Sequence, residues 1–358
     1  MSKIRVLAVD DSAVMRRLLR EMLTADPDLE VAGVAANGAI ALSLIEQLRP
    51  DLVTLDVEMP EMDGITALRH IRSRHPALPV IMFSPRCERG AEATVDALAL
   101  GASDYVTKPS AANGLAAAAL RVEQQLIPKI KALVPERGSS VRRRAVPVLR
   151  QVCTGPQYPV EIVAIGSSTG GPNALATVLS SIPADFPVPI VIVQHMPPDF
   201  TGLLAKRLDS VTAIAVEEAT AQATLAAGHA YVAPGDYHMT IHRNGMGARV
   251  KLMQSPPENS CRPSVDVLFR SVARDYGSGV LGVVMTGMGQ DGLLGCEAIK
   301  AAGGQVIVQD EATSVVWGMP GFVARAGLAD EVLALPEIAG RIVRRVVSKP
   351  AAARAGAQ

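Results

Sequence analysis

Acidic residues end two apolar runs in the first third of the chain. Asp10 and Asp11 follow the run IRVLAV, and Asp56 ends the run LVTLD. If these runs are parallel strands, their carboxyl ends meet at one sheet edge and bring three carboxylates together. A hard divalent cation such as Mg²⁺ relieves their mutual repulsion and leaves positions open for phosphoryl oxygens. Ser84 and Lys108, which end two later runs, would offer a hydroxyl and an ammonium group there.

A serine, a histidine and an aspartate follow three other apolar runs. The run VEIVAI leads into the glycine-rich turn GSSTGGP, PIVIVQ leads into His195, and GVLGVVMTGMGQ leads into Asp291. A serine hydroxyl is a poor nucleophile at neutral pH, so an imidazole must take its proton and a carboxylate must orient the imidazole. The pattern therefore favours acyl-transfer chemistry. Its order of Ser, His, Asp differs from that of α/β-hydrolases.

Other interpretations of these residues stay open at this stage. A glycine-rich turn before a helix can also bind a phosphate, and a single histidine at a strand end is more often structural. Asp236 with His238 or His242 would restore the α/β-hydrolase order, although all three lie in or beside a predicted hairpin. A catalytic cysteine is also open, but the cysteines are scattered without metal-ligand spacing and are expected to be packing or surface thiols. They are Cys87, Cys153, Cys261 and Cys296.

The elements that would position these residues alternate between strand and helix patterns. In the first third of the chain, this alternation predicts a doubly wound, flavodoxin-like parallel sheet with helices on both faces. The second part predicts another α/β unit, whose mostly parallel sheet carries an appended hairpin turning at Asn244 and Gly245. The segment between them is rich in Arg, Ser, Gly and Pro, and its run Arg142–Arg144 is either a solvated cluster or a docking patch. We expect a first domain over 1–125, a linker over 126–158, a second domain over 159–349 and a flexible tail over 350–358.

Composition narrows the class of protein. The 358 residues include 35 Lys plus Arg and 35 Asp plus Glu, so no net field favours nucleic acid or anionic lipid. The amino terminus lacks a signal-peptide pattern, and no apolar stretch is long enough to span a bilayer. We therefore expect a cytoplasmic, monomeric protein that neither binds nucleic acid nor inserts into membranes.

The first α/β unit resembles the receiver domain of two-component response regulators. The resemblance rests on the paired acids near the start, LDVEMPEMDG around Asp56, Ser84, and VTKP at Lys108. It implies that Asp56 accepts a phosphoryl group from a histidine kinase, and that Ser84 and Lys108 sense this modification. It also implies a Mg²⁺ site formed by Asp10, Asp11, Asp56 and the backbone carbonyl of Glu58.

The second α/β unit resembles the catalytic domain of the chemotaxis protein-glutamate methylesterase family. The similar segments are IGSSTGGP, VQHMPPDFT, YVAPGDYHM, CRPSVDVLFRS and VMTGMGQDGLLG. The resemblance implies that Ser168 is the nucleophile, His195 the general base and acid, and Asp291 the orienting carboxylate. It further implies that the N–H of Met288 contributes to an oxyanion hole and that Thr169 supports the site.

The register of GSSTGG against the family pattern favours Ser168 over Ser167 as the nucleophile. Ser264 or Asp266 is expected to cap a helix near the site. Tyr237 and His238 either border the substrate cleft or pack in the hairpin.

The combined resemblance implies a regulated enzyme. Its substrates would be glutamate γ-methyl esters, and also glutamines, on methyl-accepting chemoreceptors, and ester hydrolysis would need no cofactor. We hypothesise that the unphosphorylated receiver covers the cleft and that phosphorylation of Asp56 exposes it. The rival hypotheses are a response regulator whose second domain only binds partners, and a general serine protease or lipase under receiver control.

Overall fold

A computed structural model of the chain describes residues 3–85, 87–108, 115–134, 159–245 and 247–347. These residues belong to two compact units, with the division between residues 143 and 144. The run Arg142–Arg144, most of the expected linker and the expected tail lie outside the described residues. Within the described ranges, no helix combines the length and the apolar character that crossing a bilayer requires.

The first unit contains a five-stranded parallel sheet in the order β2-β1-β3-β4-β5. This is the strand order of flavodoxin-like folds, so the predicted doubly wound sheet is confirmed. The final helix continues to Leu133 and so crosses the domain limit expected at residue 125. The elements are β1 (Ile4–Val9), α1 (Ala13–Ala25), β2 (Leu29–Ala35), α2 (Gly38–Leu48), β3 (Leu52–Asp56), α3 (Gly64–Arg74), β4 (Val80–Ser84), α4 (Glu88–Ala99), β5 (Asp104–Thr107) and α5 (Leu115–Leu133).

Local sequence signals fix where the helices of this unit begin. Ser12, Asn37 and Asp63 are N-cap residues whose side chains accept hydrogen bonds from the first turns of α1, α2 and α3. Strands β3 and β4 are buried throughout because helices cover both faces of the sheet. The polar groups at the carboxyl ends of these strands are therefore held by a rigid, fully packed sheet.

The second unit contains a seven-stranded parallel sheet in the order β14-β13-β12-β6-β7-β9-β8. Strand β6 is the central strand. The chain continues from β6 to β7 on one side of it and later adds β12 on its other side, so the strand order reverses between β6 and β12. Ligands of open α/β sheets bind at such a switch point, beside the carboxyl ends of the strands. The elements of the sheet and its helices are β6 (Ile162–Ser167), α6 (Gly171–Leu179), β7 (Ile190–Gln194), α7 (Pro198–Asp209), β8 (Ala215–Glu218), β9 (His229–Val232), α8 (Val265–Tyr276), β12 (Val280–Val284), α9 (Leu293–Ala301), β13 (Gln305–Gln309), α10 (Met319–Arg325), β14 (Glu331–Leu333) and α11 (Leu335–Val347), with the hairpin strands β10 (His238–Asn244) and β11 (Gly247–Met253) inserted before α8.

The predicted hairpin is confirmed, because β10 and β11 pair antiparallel and Asn244 lies opposite Gly247. The hairpin packs on α8, where the Ile241 N–H donates to Ser271 Oγ at 3.0 Å. Met239 and Ile241 are fully buried in one core together with Phe269 of α8. The hairpin thereby holds α8 against the sheet, which fixes the amino terminus of that helix beside the carboxyl ends of β7 and β12.

Candidate active site and acidic cluster

The turn after β6 places Ser168 at the carboxyl edge of the sheet. Gly170 adopts a left-handed conformation with φ of +76°, which glycine accepts without a Cβ clash. Gly171 begins α6, and a Cβ there would lie 1.9 Å from Gln194 Oε1, so only glycine fits this close approach. The sequence therefore needs this glycine pair to turn the chain from strand into helix within three residues of Ser168.

Gln194 joins the serine turn to the neighbouring strand. Ser167 is fully buried, and its hydroxyl donates to Gln194 Oε1 at 2.7 Å. The amide of Gln194 donates to the carbonyl of Ser168 at 2.9 Å. The Ser167 hydroxyl is thus occupied by a buried hydrogen bond, whereas Ser168 is only partly buried. Sequence reasoning missed Gln194, whose only signal was its place directly before His195.

His195 and Asp291 meet across the sheet edge. His195 follows β7, and its backbone N–H donates to the carbonyl of Ser167 at 3.2 Å, so the histidine and serine turns are adjacent. His195 Nε2 lies 2.8 Å from Asp291 Oδ2. No hydrogen bond joins the Ser168 hydroxyl to either ring nitrogen of His195, both residues being among those described. The structure thus pairs the histidine and the aspartate and puts the serine on the adjoining strand end.

The amino terminus of α8 surrounds the Asp291 carboxylate with donors. Oδ2 accepts the Val265 N–H at 2.7 Å, and Oδ1 accepts the Asp266 N–H at 3.1 Å. The Ser264 hydroxyl donates to Oδ1 at 2.9 Å, and the Asn259 amide does so at 3.0 Å. A helix amino terminus favours negative charge because its first N–H groups lack partners within the helix. Asp291 is therefore stabilised as a carboxylate although it is buried.

These contacts shift the acid–base properties of the site in opposite directions. Burial opposes ionisation of Asp291, but the hydrogen bond from His195 and those from the Val265 and Asp266 backbone hold its pKa well below the usual value. Burial and the negative charge of Asp291 raise the pKa of the neighbouring Asp266 to about 6. Burial disfavours the His195 cation, yet Asp291 and Cys261 outweigh it and raise the pKa of His195 to about 10. The neutral form of His195 therefore gains population as pH rises.

Cys261 contacts the second ring nitrogen of His195. Its Sγ lies 3.5 Å from His195 Nδ1, the nitrogen that Asp291 does not bind. In the neutral ring with Nε2–H donating to Asp291, Nδ1 is the acceptor and the thiol is the donor, whereas in the cation both ring nitrogens donate. Sequence reasoning did not predict this contact, because no short motif links positions 195 and 261.

The turn after β12 completes the surroundings of Ser168. A Cβ on Gly287 would lie 2.9 Å from the Ser168 Cβ, so the chain at Gly287 passes directly beside the serine. The hydroxyl of buried Thr286 donates to the carbonyl of Thr169 at 2.9 Å and ties the two turns together. Among the described residues, no acceptor pairs with the backbone N–H of Met288. The residue after Gly287 therefore has a backbone donor without an acceptor among the described residues, and Thr286 is a supporting residue that sequence reasoning missed.

The alternative trio around Asp236 is not assembled. Asp236 Oδ1 accepts from Arg262 Nε at 3.1 Å, while His238 is buried with Nε2 3.1 Å from the Pro256 carbonyl. His238 Nδ1 accepts the Ser264 N–H at 3.2 Å, so both of its ring nitrogens serve the backbone. Ser264 is the N-cap residue of α8, as predicted, although its hydroxyl donates to Asp291 and not to the helix backbone.

Three carboxylates cluster in the first unit, as the strand ends predicted. Asp10, Asp11 and Asp56 each have an oxygen within 4.8 Å of the others, and Asp10 and Asp56 are fully buried. Lys108 Nζ lies 2.9 Å from Asp10 Oδ2 and 2.6 Å from Asp56 Oδ2. Burial raises the pKa of Asp56 to about 6 against the opposing effect of Lys108. The all-oxygen donor set fits a hard divalent cation such as Mg²⁺.

The two other residues expected in this cluster are positioned differently. The backbone N–H of Glu58 donates to Asp56 Oδ1 at 3.3 Å, so this residue adjoins the carboxylates. The buried Ser84 hydroxyl donates to the Gly90 carbonyl in α4 at 2.8 Å. Ser84 is therefore bonded to α4, while its carbonyl accepts the Lys108 N–H at 2.6 Å. A hydroxyl held this way must rotate before it can contact a group on Asp56.

The folds and sites of the two units define a response-regulator receiver domain followed by an α/β catalytic domain. Residues 6–120 match the response regulator receiver domain, and residues 163–342 match the CheB methylesterase family. The chain belongs to the CheB methylesterase family, which confirms the resemblance seen in the sequence.

Relatives cover the whole chain. A protein-glutamate methylesterase/protein-glutamine glutaminase of Trichodesmium erythraeum is 52% identical over 97% of this chain and 100% of its own length. One of the same description from a Nocardioides species is 50% identical over 100% of both chains. The crystal structure of the Thermotoga maritima CheB methylesterase catalytic domain is 42% identical and covers 52% of this chain and 99% of its own, with a TM-score of 0.51.

The pKa of His195 should depend on the Asp291 carboxylate. We expect Asp291→Asn to lower that pKa from above neutral to about 6.5 or below, because burial then acts against the cation with less opposition. Histidine-ring NMR titration of the full chain would measure it. Asp236→Asn is the matched control and should leave the His195 titration in place. Equal His195 pKa values in Asp291→Asn and the unmodified chain would contradict this electrostatic account.

Proposed function

We propose that this protein hydrolyses glutamate γ-methyl esters on methyl-accepting chemoreceptors, and deamidates glutamines at such positions, by a Ser-His-Asp mechanism. Membership of the CheB methylesterase family and the names of its full-length relatives support this proposal. The observation that carries the mechanism is the His195–Asp291 pair on the strand ends next to Ser168.

In the first step, the Ser168 oxygen attacks the γ-carbonyl carbon while His195 accepts the hydroxyl proton. Asp291 holds Nε2, so Nδ1 is the nitrogen that takes the proton. The serine and histidine turns are adjacent, since the His195 N–H donates to the Ser167 carbonyl, and rotation of the Ser168 side chain would bring its hydroxyl toward Nδ1. Catalytic hydrogen bonds often form fully only when substrate is bound.

Negative charge then develops on the former carbonyl oxygen. The Met288 N–H, which has no acceptor among the described residues, would donate to this oxyanion beside Ser168. His195 returns its proton to the departing methoxide, which leaves as methanol, and an acyl ester remains on Ser168. Water attacks this ester with His195 again as base and releases the glutamate side chain. A glutamine side chain would follow the same route and release ammonia.

Asp291 would stabilise the imidazolium that forms in each proton transfer. Donors from α8 keep its carboxylate ionised throughout, so the aspartate does not itself take the proton. The raised pKa of His195 implies that the base becomes more available as pH rises.

The receiver would control this chemistry through Asp56. In the proposal, Asp56 accepts a phosphoryl group from a histidine kinase, and Asp10, Asp11, Asp56 and the Glu58 carbonyl would hold Mg²⁺, which supplies charge neutralisation for phosphoryl oxygens. Lys108 already contacts the Asp56 carboxylate and would pair with the phosphoryl group, while the Ser84 hydroxyl would leave Gly90 to bind it. We further propose that the unphosphorylated receiver inhibits the esterase and that phosphorylation of Asp56 relieves this inhibition.

Ser168 should be required for methanol release from membranes that contain methylated chemoreceptors. We expect Ser168→Ala to lower the rate by about 10⁴-fold or more, since loss of a triad nucleophile has this effect in other serine hydrolases. Ser167→Ala is the matched control, and about 10-fold or less should be lost because its hydroxyl bonds only to Gln194.

The rivals predict other results in the same assay. A non-enzymatic second domain would release no methanol above background in any variant. A general hydrolase would cleave unrelated peptides or lipid esters as fast as receptor esters. Retained activity in Ser168→Ala, in protein with an unchanged circular dichroism spectrum, would contradict the assignment of the nucleophile.

Phosphorylation should raise the esterase rate through Asp56 alone. We expect a small acyl phosphate with Mg²⁺ to accelerate methanol release by the full chain, and Asp56→Asn to abolish this acceleration. Asp63→Asn is the matched control, because asparagine also caps α3 and should leave the activation intact. Equal rates with and without the phosphodonor in the unmodified chain would eliminate the inhibition hypothesis.

A further inference from the structure

The ring nitrogen of His195 that must act as the base also faces a thiol. Cys261 Sγ and His195 Nδ1 are 3.5 Å apart, and both side chains are partly accessible to solvent. A tetrahedral zinc ion with bonds of about 2.3 Å to sulfur and about 2.0 Å to nitrogen holds those two atoms about 3.5 Å apart. The pair thus has the separation of two zinc ligands without any movement of the backbone.

Backbone hydrogen bonds close the turn that carries Cys261. Glu258 and Cys261 exchange backbone hydrogen bonds of 3.1 and 2.9 Å across Asn259 and Ser260, which both have positive φ. Arg270 anchors Glu258 through two contacts of 2.6 Å. The thiol is therefore held beside His195 by the fold, and a ligand positioned in advance costs less ordering entropy when the metal binds.

Asp291 supplies the outer support that zinc-binding histidines usually have. Its Oδ2 binds the opposite ring nitrogen at 2.8 Å, which is the carboxylate–histidine arrangement found behind metal-bound imidazoles. Both Asp291 oxygens already accept several hydrogen bonds, so the carboxylate orients the histidine and need not join the metal. Water would complete the coordination.

We propose that His195 Nδ1 and Cys261 Sγ form a binding site for a soft divalent cation, specifically Zn²⁺, and that its occupation blocks the esterase. On binding, the Cys261 thiol and the protonated Nδ1 of His195 each give a proton to solvent, and the resulting thiolate and neutral imidazole each donate an electron pair to the metal. The inhibition rests on the proposed function, because the metal takes the lone pair that His195 needs to accept the Ser168 proton. The acidic cluster of the first unit has only oxygen donors and favours Mg²⁺ instead.

Zinc titration calorimetry of the full chain tests the binding directly, with excess Mg²⁺ present to occupy the acidic cluster. We expect one Zn²⁺ per chain, and Cys261→Ser should weaken that binding by more than about 100-fold, since even outer-shell changes cost 10–100-fold. Cys87→Ser and Cys153→Ser are matched controls and should bind as the unmodified chain does. Co²⁺ should give a thiolate charge-transfer band that Cys261→Ser lacks. Equal zinc affinity in Cys261→Ser and the unmodified chain would overturn the site.

The methanol-release assay separates this inference from the proposed function. Zn²⁺ should abolish release by the unmodified chain, and a zinc chelator should restore it. The same zinc concentration should leave Cys261→Ser at its own zinc-free rate, whatever that rate is. If Cys261-dependent binding occurs in a protein without esterase activity, the site stands and the proposed function fails. If the protein is active but zinc neither binds at Cys261 nor inhibits, the site is overturned while the proposed function stands.

Discussion

The buried carboxylate of Asp291, in the turn after β12, connects the amino terminus of α8 with the end of β7. It receives backbone N–H groups from α8, the Ser264 hydroxyl, and the His195 ring at the end of β7. An ionised group can remain at such depth only when donors replace the water that it loses. The hydrogen bonds from His195 and from the first turn of α8 replace that water, and the hairpin packs on the same helix. The orientation and raised pKa of His195 follow from that charge.

The two units use the same structural principle for different chemistry. Each places polar groups at the carboxyl ends of buried parallel strands, where the packed sheet fixes their backbone. In the first unit, Lys108 compensates the buried carboxylates of Asp10 and Asp56. In the second unit, the helix amino terminus compensates Asp291. The first arrangement leaves oxygen ligands suited to a hard cation, whereas the second leaves a nitrogen and a sulfur.

Much of the fold and of both candidate sites could be predicted from the sequence, because the carboxyl ends of parallel strands lie at the same edge of a sheet. The positions of His195 and Asp291, and those of Asp10, Asp11 and Asp56, at strand ends therefore predicted that each group lies together, although the residues are far apart in the chain. Contacts made through irregular loops could not be predicted. The turn that leads to Cys261 contains Asn259 and Ser260 in left-handed conformations, which their residue types permit but do not require. Ser264 has the residue type of a cap, yet a tertiary carboxylate outcompetes the helix for its hydroxyl.

Covalent trapping with a serine-directed fluorophosphonate tests most directly whether the Asp291–His195 pair activates Ser168. The full chain would be labelled over time and the adduct located by peptide mass spectrometry. We expect a single modified residue, Ser168, with labelling slowed by about 100-fold or more in Asp291→Asn, since this carboxylate fixes the tautomer of the base. A label on Ser167 or Cys261, or equal labelling rates in the two proteins, would contradict it.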